Sequence, residues 1–359
     1  MIMNVLKVFG LSAFAFFLGI VLTPIFTHYF YKYKMWRRHS RSDETNPVSL
    51  DFRNIHQQRA AEELNTPRVG GMIIWLSTLL VCVFVWLAFK FFPDELTKKL
   101  NFLSKNQTWV PLFVLIFSSL VGLADDFIQI FGKMGNKIFA DPDGFPSLPK
   151  KARIATVIII GAIGAWWFFF KLGMTSIIVP FVGEIILGWL FIPFFIITML
   201  AVFSGGIIDG IDGLAGGVMA SVFAAYAGIA FFQNQIDIAT FCAVITGSTL
   251  AFLWFNIPPA RFYMGETGML GLTATLTVVA FLTKAVAVLP IIAFPLVATS
   301  GSAIIQMISR KYFKKKVFKI APIHHHFEAI GWPSYKVTMR FWVISIVFAV
   351  IGMVIVLIG

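Results

Sequence analysis

Long apolar runs recur along the whole chain, and no other feature of the sequence limits its fold as strongly. Each run approaches the roughly 20 helical residues that are needed to cross the hydrocarbon core of a bilayer. The composition agrees, because 58% of the 359 residues are hydrophobic and only 13% are charged, whereas soluble domains are about 45–50% apolar. The sequence therefore predicts an all-α, polytopic membrane protein with a single transmembrane domain over residues 1–359.

These runs predict ten membrane spans. The spans are Val8–Phe30, Met72–Phe89, Val110–Ala124, Ile154–Phe170, Trp189–Ile208, Gly216–Phe232, Ile238–Asn256, Met269–Thr283, Val286–Met307 and Phe341–Ile358.

The first run lacks a small-residue cleavage site and is longer than the apolar core of a signal peptide, so we expect a retained helix. The broken segment Leu172–Gly188 is expected to be an external hairpin or a re-entrant piece. Cys82 and Cys242 lie inside apolar runs, and they are predicted to be packing residues.

The basic residues are distributed unevenly between the predicted loops. The loops after the odd-numbered spans hold 22 of the 29 lysines and arginines, and the positive-inside rule then places those loops in the cytoplasm and both termini in the periplasm. The net charge of +12 thus reflects topology, and we expect contacts with membrane lipids and none with nucleic acid. The first of these loops includes a long polar stretch, residues 34–65, to which the sequence assigns no role.

Five of the seventeen acidic residues lie at the predicted cytoplasmic ends of spans. They are Asp125, Asp126, Asp209, Asp212 and Glu266, in three short motifs that contain glycine. A single aspartate at such a position usually caps a helix or pairs with a lysine, but three acidic motifs on one face indicate a common site. Adjacent carboxylates repel each other unless a cation or a shared proton offsets the repulsion. Hard oxygen donors without a thiolate favour Mg²⁺ over zinc.

Two further motifs at this face indicate phosphate binding. The glycines of Asp209-Gly-Ile-Asp-Gly213 allow the backbone to approach a nucleotide closely, although this motif alone predicts only a turn. His324, His325 and His326 follow a basic run. In an extended loop neighbouring side chains diverge, so hydrogen bonding to phosphate or acid–base catalysis is expected instead of a three-histidine metal site.

The order of these motifs resembles that of the phospho-N-acetylmuramoyl-pentapeptide transferases. This family is the translocase I of peptidoglycan synthesis, within the polyprenyl-phosphate hexose-1-phosphate transferase superfamily. The most specific block is Ala321-Pro-Ile-His-His-His-Phe-Glu328, which indicates the muramoyl-peptide branch. The other matching motifs are Thr66-Pro67-Arg-Val-Gly-Gly71, Asp125-Asp126, Asp209-Gly-Ile-Asp-Gly-Leu-Ala215, Leu253-Trp-Phe-Asn256, Pro259-Ala260, Met264-Gly265 and Arg340-Phe-Trp342.

The resemblance implies a multi-pass protein of the bacterial inner membrane, with ten spans and an active site at the cytoplasmic face. It implies a Mg²⁺-dependent transfer of phospho-N-acetylmuramoyl-pentapeptide from its UDP-activated form to undecaprenyl phosphate, which gives lipid I and UMP. Carried over by motif, the catalytic residues are Asp125, Asp126 and His325, and the metal ligands are Asp126 and Glu266. The residues expected to bind nucleotide and substrate are Asp209, Asp212, Asn256, Tyr263, His324 and His326. A homodimer is left open.

The chain departs from the family pattern at four positions. The family usually has Asn-x-Thr where this chain has Gly206 and Ile208, and a lysine where this chain has Gln129. At the metal-ligand position it usually has aspartate, whereas this chain has the longer Glu266, and Mg²⁺ demands tight octahedral geometry. The candidate replacements for the missing lysine are Lys150, Lys151 and Arg153.

Three alternatives remain open from the sequence. The chain could be a related enzyme that uses another UDP-sugar, a catalytically impaired homologue, or a transporter that kept the fold. Transporters place charged sites near the bilayer midplane between repeated halves, whereas no internal repeat is visible here. The sequence also leaves open whether a carboxylate attacks first, giving a covalent intermediate, or only accepts a proton.

Overall fold

The computed structural model describes residues 1–37, 65–103, 106–132 and 146–359, and in residues 106 and 107 only the backbone. Within these ranges nine helices are long and apolar enough to cross a membrane, and a bent pair of helices makes a tenth when it is counted as one span. The described residues thus agree with the predicted number of spans. Residues 38–64, which hold most of the polar stretch without an assigned role, lie outside the description.

The helices are numbered here in chain order. The nine long ones are α1 (Ile2–Lys32), α2 (Met72–Phe91), α4 (Asn106–Phe131), α5 (Lys150–Lys171), α6 (Gly188–Ile208), α7 (Leu214–Phe232), α8 (Ile236–Asn256), α9 (Gly265–Leu282) and α13 (Ser334–Ile358). The shorter helices are α3 (Glu95–Leu100), α10 (Val286–Ile292), α11 (Phe294–Phe313) and α12 (Ile323–Ala329).

The ninth predicted span, Val286–Met307, is not a straight helix. It consists of α10 and α11, which meet at an angle of 80°. Pro290 lies in the last turn of α10, and Pro295 is the second residue of α11. Because proline lacks a backbone N–H, it is well tolerated in the first turn of a helix, so Pro295 favours a new helix start directly after the bend. The prediction of one continuous helix over Val286–Met307 is therefore wrong, and this span is a broken one.

The segment Leu172–Gly188 contains the only strands among the described residues. β1 (Ser176–Val179) and β2 (Gly183–Ile186) form an antiparallel hairpin in which Ser176 is opposite Ile186. Of the two forms expected for this segment, the hairpin is confirmed. The prediction of an all-α chain is correct for the membrane helices and needs this one exception, because the β-branched residues of a short apolar segment favour strands.

Helix α9 lies at the centre of the bundle. In its most apolar stretch 89% of the residues are buried inside the protein, compared with 22% in the peripheral α13. The hydroxyl groups of Thr273 and Thr277 donate to backbone carbonyls one turn earlier, at 2.7 and 3.2 Å. These polar groups are therefore satisfied inside the apolar bundle without a partner helix. The amino end of α9 carries Glu266, so the central helix delivers this residue to one end of the bundle.

Candidate active site

A cavity of about 520 Å³ lies at the end of the bundle where α9 begins. Its wall includes parts of the chain as distant in sequence as Arg37 and His325. The polar and charged side chains that line it are Arg37, Arg68, Gln129, Lys150, Arg153, Ser204, Asp209, Glu266, Thr273 and His325. Three of the residues predicted from the motifs, Asp209, Glu266 and His325, thus share one cavity.

Asp126 is fully buried and is held by the first turn of α9. Its two carboxylate oxygens accept hydrogen bonds from the backbone N–H groups of Glu266 and Thr267, at 3.1 and 2.9 Å. Such N–H groups have no partner within their own helix, and they carry partial positive charge. This contact joins the Asp125-Asp126 motif on α4 to the glutamate on α9, so two of the three acidic motifs are in direct contact.

Gly265 makes this junction sterically possible. Its backbone has a φ of +70°, which side-chain-bearing residues rarely adopt. A Cβ atom there would lie 2.1 Å from the carbonyl oxygen of Arg68 and 2.5 Å from Oδ2 of Asp126. The close packing of α4, α9 and the segment before α2 therefore requires glycine at this position.

Arg153 bridges two of the predicted site carboxylates. Its Nη1 lies 2.8 Å from Oε1 of Glu266, and its Nε lies 3.4 Å from Oδ2 of Asp125. The backbone N–H of Leu148 donates to the other oxygen of Asp125 at 2.6 Å. Of the three basic residues considered as replacements for the missing lysine, Arg153 is the one that the structure brings into contact with these acids.

Gln129 stands one helical turn beyond Asp125 and connects that residue to a further cation. Its amide Nε2 donates to Oδ2 of Asp125 at 3.1 Å, and its Oε1 accepts a hydrogen bond from Arg37. Arg37 follows α1 and lines the cavity, so a guanidinium reaches the neighbourhood where the family pattern has a lysine. Sequence reasoning missed Arg37, because only its position in a basic loop distinguished it.

Asp209 lies in the loop between α6 and α7, on the cavity wall. Its Oδ2 accepts a hydrogen bond from the N–H of Gly265 at 3.2 Å. Burial raises the pKa of Asp209 to about 6, against the opposing effects of the Arg68 charge and the Gly265 hydrogen bond, while the nearby acids Glu266 and Asp212 raise it further. Its carboxyl therefore changes charge close to neutral pH.

Gly206 and Ile208, the two departures from the family pattern before Asp209, make the cavity wall less polar. Gly206 lines the cavity without offering a side chain, and Ile208 is fully buried. The polar groups of the usual Asn-x-Thr are thus absent from this side of the cavity.

Asp212 and Asn256 do not line the cavity but hold the loops around it. Asp212 accepts a hydrogen bond from the N–H of Ala260 at 3.1 Å. Asn256 accepts from the N–H of Gly213 at 3.0 Å and donates to the carbonyl of Phe262 at 2.8 Å. Both side chains therefore connect the loop after α6 to the loop after α8.

The three histidines lie in a helix, α12, and not in the extended loop expected from the sequence. His324 is fully buried, His325 lines the cavity, and the Nε2 atoms of both would lie within 2.8 Å of a Cβ added at Gly210. This packing requires glycine in the Asp209-to-Gly213 loop. His326 points elsewhere, because its Nδ1 accepts a hydrogen bond from the N–H of Lys319 at 3.2 Å.

His325 is oriented by a carboxylate that sequence reasoning did not single out. Its Nδ1 lies 2.7 Å from Oε2 of Glu328, and the other oxygen of Glu328 accepts from the hydroxyl of Ser334 at 2.6 Å. Since a carboxylate can only accept, we assign the proton of a neutral imidazole to Nδ1, which leaves Nε2 as the acceptor. The spacing of three residues within the histidine block was the available signal, because such residues share a helix face.

Among the described residues no group of three or more His, Cys, Asp and Glu side chains is arranged to hold a metal ion. The carboxylates of Asp126 and Glu266 are nevertheless hard oxygen donors on neighbouring elements, which is the ligand chemistry that Mg²⁺ prefers. The donor type therefore fits Mg²⁺, although Glu266 contacts Arg153 in this arrangement.

Comparison with known proteins places the chain in a family. Residues 108–284 match the family described as Glycosyl transferase family 4. The phospho-N-acetylmuramoyl-pentapeptide-transferase of Anoxybacillus flavithermus is 32% identical over 98% of both chains, and that of a Geobacillus species is 33% identical over 94% of both. The enzyme of that name from Latilactobacillus sakei is 32% identical over 94% of this chain and 96% of its own length. Since the similarity extends over nearly the whole length, the chain belongs to the phospho-N-acetylmuramoyl-pentapeptide-transferase family.

Proposed function

We propose that this protein transfers phospho-N-acetylmuramoyl-pentapeptide from its UDP-activated form to undecaprenyl phosphate, giving lipid I and UMP in peptidoglycan synthesis. The observation that carries the proposal is the meeting of separate motifs at one cavity. Asp209, Glu266 and His325 line it, and the fully buried Asp126 contacts its wall through the start of α9. A cavity in which several charged groups converge is the expected form of such a site.

The chemistry requires charge neutralisation and alignment. An oxygen of the lipid phosphate forms a bond to the sugar-side phosphorus of the nucleotide sugar, and the bond from that phosphorus to the bridging oxygen breaks, so that UMP leaves with the electron pair. Cationic groups stabilise the charge that develops on the phosphoryl oxygens. Arg153 is placed for this role beside Asp125 and Glu266.

Mg²⁺ would supply further neutralisation of the phosphate charge when bound, and Asp126 and Glu266 are the residues that we expect to hold it. Binding would require Glu266 to exchange its contact with Arg153 for the ion. The guanidinium released in this exchange would remain beside Asp125, where it can pair with a substrate phosphate.

His325 is the candidate for proton transfer or for hydrogen bonding to phosphate. Glu328 fixes its ring and its tautomer, and His325 is part of the cavity wall. In this arrangement the imidazole can accept a proton at Nε2 while Glu328 stabilises the resulting cation. Asp125 and Asp126 are proposed as the catalytic carboxylates next to the lipid phosphate.

On the nucleotide side, Asp209, which lines the cavity, is proposed to contact uridine directly. Tyr263, whose ring lies under the guanidinium of Arg68, is proposed to bind the nucleotide as well. Asp212 and Asn256 are proposed to shape the nucleotide side of the cavity indirectly, because their hydrogen bonds connect the loop after α6 to the loop after α8. His324 and His326 are proposed to support the substrate side of α12.

We place the cavity at the cytoplasmic face of a bacterial inner membrane, with both termini in the periplasm. The support is the distribution of charge, because 22 of the 29 lysines and arginines follow the odd-numbered spans in the sequence, and three arginines among them, Arg37, Arg68 and Arg153, line the cavity, and basic loops remain in the cytoplasm. An accessible-cysteine labelling experiment on intact cells, with cysteines introduced at Lys284 and Lys319, would test this orientation.

The deciding assay is release of UMP from UDP-N-acetylmuramoyl-pentapeptide by the purified protein, with and without undecaprenyl phosphate and Mg²⁺. We expect release only when both are present. Absence of release with all components present would contradict the proposal. Asp126→Asn is expected to abolish release while the protein stays folded, because the buried acid contacts the first turn of α9 at the metal-ligand position.

Glu266→Asp tests the departure at the metal-ligand position. We expect similar or higher activity, because aspartate restores the usual ligand and releases Arg153 from a 2.8 Å contact. Glu95→Asp is a matched control, since Glu95 is an exposed residue whose only ion pair among the described residues is with Lys99. Complete loss of activity in Glu266→Asp alone would show that the cavity requires the longer side chain.

A related enzyme that uses another UDP-sugar is the second candidate. The observation that favours it is the loss of polar groups at Gly206 and Ile208, next to Asp209. UMP release from UDP-N-acetylglucosamine at a higher kcat/KM than from the muramoyl-pentapeptide nucleotide would establish this alternative.

A further inference from the structure

Arg68 is held at the cavity by its backbone. The N–H of Arg68 donates to the carbonyl of Met35 at 2.9 Å, and the preceding carbonyl, of Pro67, accepts from the N–H of Tyr263 at 2.8 Å. Its own carbonyl packs against Gly265, where no Cβ could fit. The backbone of Arg68 is thus held by these three contacts, and only its side chain can change orientation.

The side chain of Arg68 differs in its contacts from the other arginines of the cavity. Arg37 donates to Gln129, and Arg153 contacts Asp125 and Glu266. The Nε of Arg68 is buried without a hydrogen-bond partner among the residues that the structure describes. A buried donor that lacks a partner costs about 1–3 kcal/mol, so its retention at a cavity lined by several charged groups indicates a ligand that supplies the missing acceptor.

The surroundings of Arg68 specify the chemistry of that ligand. Its guanidinium lies over the ring of Tyr263, with 5.9 Å between the guanidinium carbon and the ring centroid. Arg68 and Asp209 line the same cavity, and the positive charge of Arg68 lowers the pKa of the Asp209 carboxyl against the effect of burial. On its other side the backbone approaches Gly265, next to Glu266. Arg68 therefore stands between the proposed uridine side and the proposed metal side.

We propose that Arg68 binds the phosphate group that is attached directly to uridine and remains paired with it in the leaving UMP. This inference rests on the proposed function, because it assumes a uridine diphosphate-sugar in the cavity. In such a substrate the diphosphate lies between the uridine and the reacting sugar-side phosphorus. The planar guanidinium offers several N–H donors that match two phosphate oxygens at once. Arg68 is thus a determinant of nucleotide binding and of leaving-group stabilisation.

A purely structural role for Arg68 predicts a different result. If its charge only offsets the nearby acids, removing it would weaken the binding of every uridine compound equally, because the cavity as a whole would change. If it binds the phosphate, the loss concerns only compounds that carry this phosphate. The ratio of the dissociation constants for UMP and uridine separates these two roles.

The experiment measures equilibrium binding of radiolabelled UMP and uridine to the full-length purified protein and to three variants. Arg68→Gln is expected to weaken UMP binding by about 10- to 100-fold, as for other hydrogen bonds to charged groups, and uridine binding by less than about threefold. Arg68→Lys is expected to fall between wild type and Arg68→Gln, since a point charge remains while the two-pronged geometry is lost. Arg261→Gln is the matched control, because Arg261 also lies over an aromatic ring, that of Phe255, but does not line the cavity.

Equal losses for UMP and uridine in Arg68→Gln, or unchanged UMP binding, would overturn the inference. If Arg68→Gln fails to fold, Arg68→Lys decides, because an unchanged ratio in that variant would equally overturn it. A wild-type protein that binds UMP no more tightly than uridine would also do so. If the wild-type protein binds UMP more tightly in an Arg68-dependent way but releases no UMP from the nucleotide sugar, the proposed function fails and the phosphate contact stands.

Discussion

The replacement of Gly265 by alanine tests the junction on which the site depends. Gly265 has a φ of +70° and precedes Glu266 at the start of α9. An added Cβ would lie 2.1 Å from the carbonyl oxygen of Arg68 and 2.5 Å from Oδ2 of Asp126. Both atoms belong to packed elements, so the junction must open by a substantial part of an ångström to admit a methyl group.

The expected cost has two components. An alanine in the left-handed region costs roughly 1–2 kcal/mol, and forcing an extra carbon into a packed interior costs about 1–3 kcal/mol. We therefore expect Gly265→Ala to lower the free energy of unfolding by about 2–5 kcal/mol. Activity should fall by about 100-fold or more, because displacement of site groups by about 1 Å has this effect in enzymes.

Gly173→Ala is the control that separates the two components. Gly173 has a similar φ of +64°, but an added Cβ there would have no atom within 4 Å. The Gly173→Ala variant should lower the free energy of unfolding by only about 1–2 kcal/mol, and it should keep full activity. The assays are unfolding of the purified protein in mixed micelles and UMP release. Equal destabilisation of the two variants, or full activity in Gly265→Ala, would refute the argument that the junction requires glycine for steric reasons.

Three further predictions follow from other contacts. Asp209 should make stability fall as pH rises from about 4 to about 6, because its raised pKa means that the folded state binds the proton more tightly than the unfolded state. The free energy of unfolding, measured as a function of pH, should show this decrease in the wild type and not in Asp209→Asn. Parallel pH curves for the two proteins would contradict the prediction. Glu328→Gln should lower kcat by about 10-fold or more with little change in UMP binding, since Glu328 orients His325 but does not itself line the cavity. A loss of binding as large as the loss of kcat would argue against this role. Lys7→Met should cost about 3–5 kcal/mol of stability, because it leaves the mostly buried Asp237 without its 2.6 Å ion pair. The double variant with Asp237→Leu should recover most of this loss in unfolding assays.

The membrane helices could be predicted from the sequence because each is a long apolar run, and a bilayer permits few other structures for such runs. The bend between α10 and α11 could not, since its angle of 80° depends on packing as well as on Pro290 and Pro295. The hairpin formed by β1 and β2 was one of two options, and short apolar segments do not distinguish a strand from a re-entrant piece by pattern alone.

The candidate site was predictable to the extent that its residues belong to motifs. Asp209, Glu266 and His325 were singled out in this way, and the structure brings them to one cavity. Arg37 and Glu328 were missed, because their importance depends on contacts with Gln129 and His325 that tertiary structure creates. The roles of these residues in binding and catalysis remain predictions until the variants are measured.

The contacts of Trp342 bear on when the enzyme can become active during its own synthesis. Its indole N–H donates to the carbonyl of Gly213 at 3.0 Å, and the nearby Thr338 donates to the carbonyl of Asp212 at 3.0 Å. Both donors lie on α13, which is synthesised after the twelve helices described before it. The loop between α6 and α7 therefore lacks two of its supports until α13 has been inserted. A nascent chain that has not yet inserted this helix would therefore carry the loop of Asp212 and Gly213 without these two hydrogen bonds.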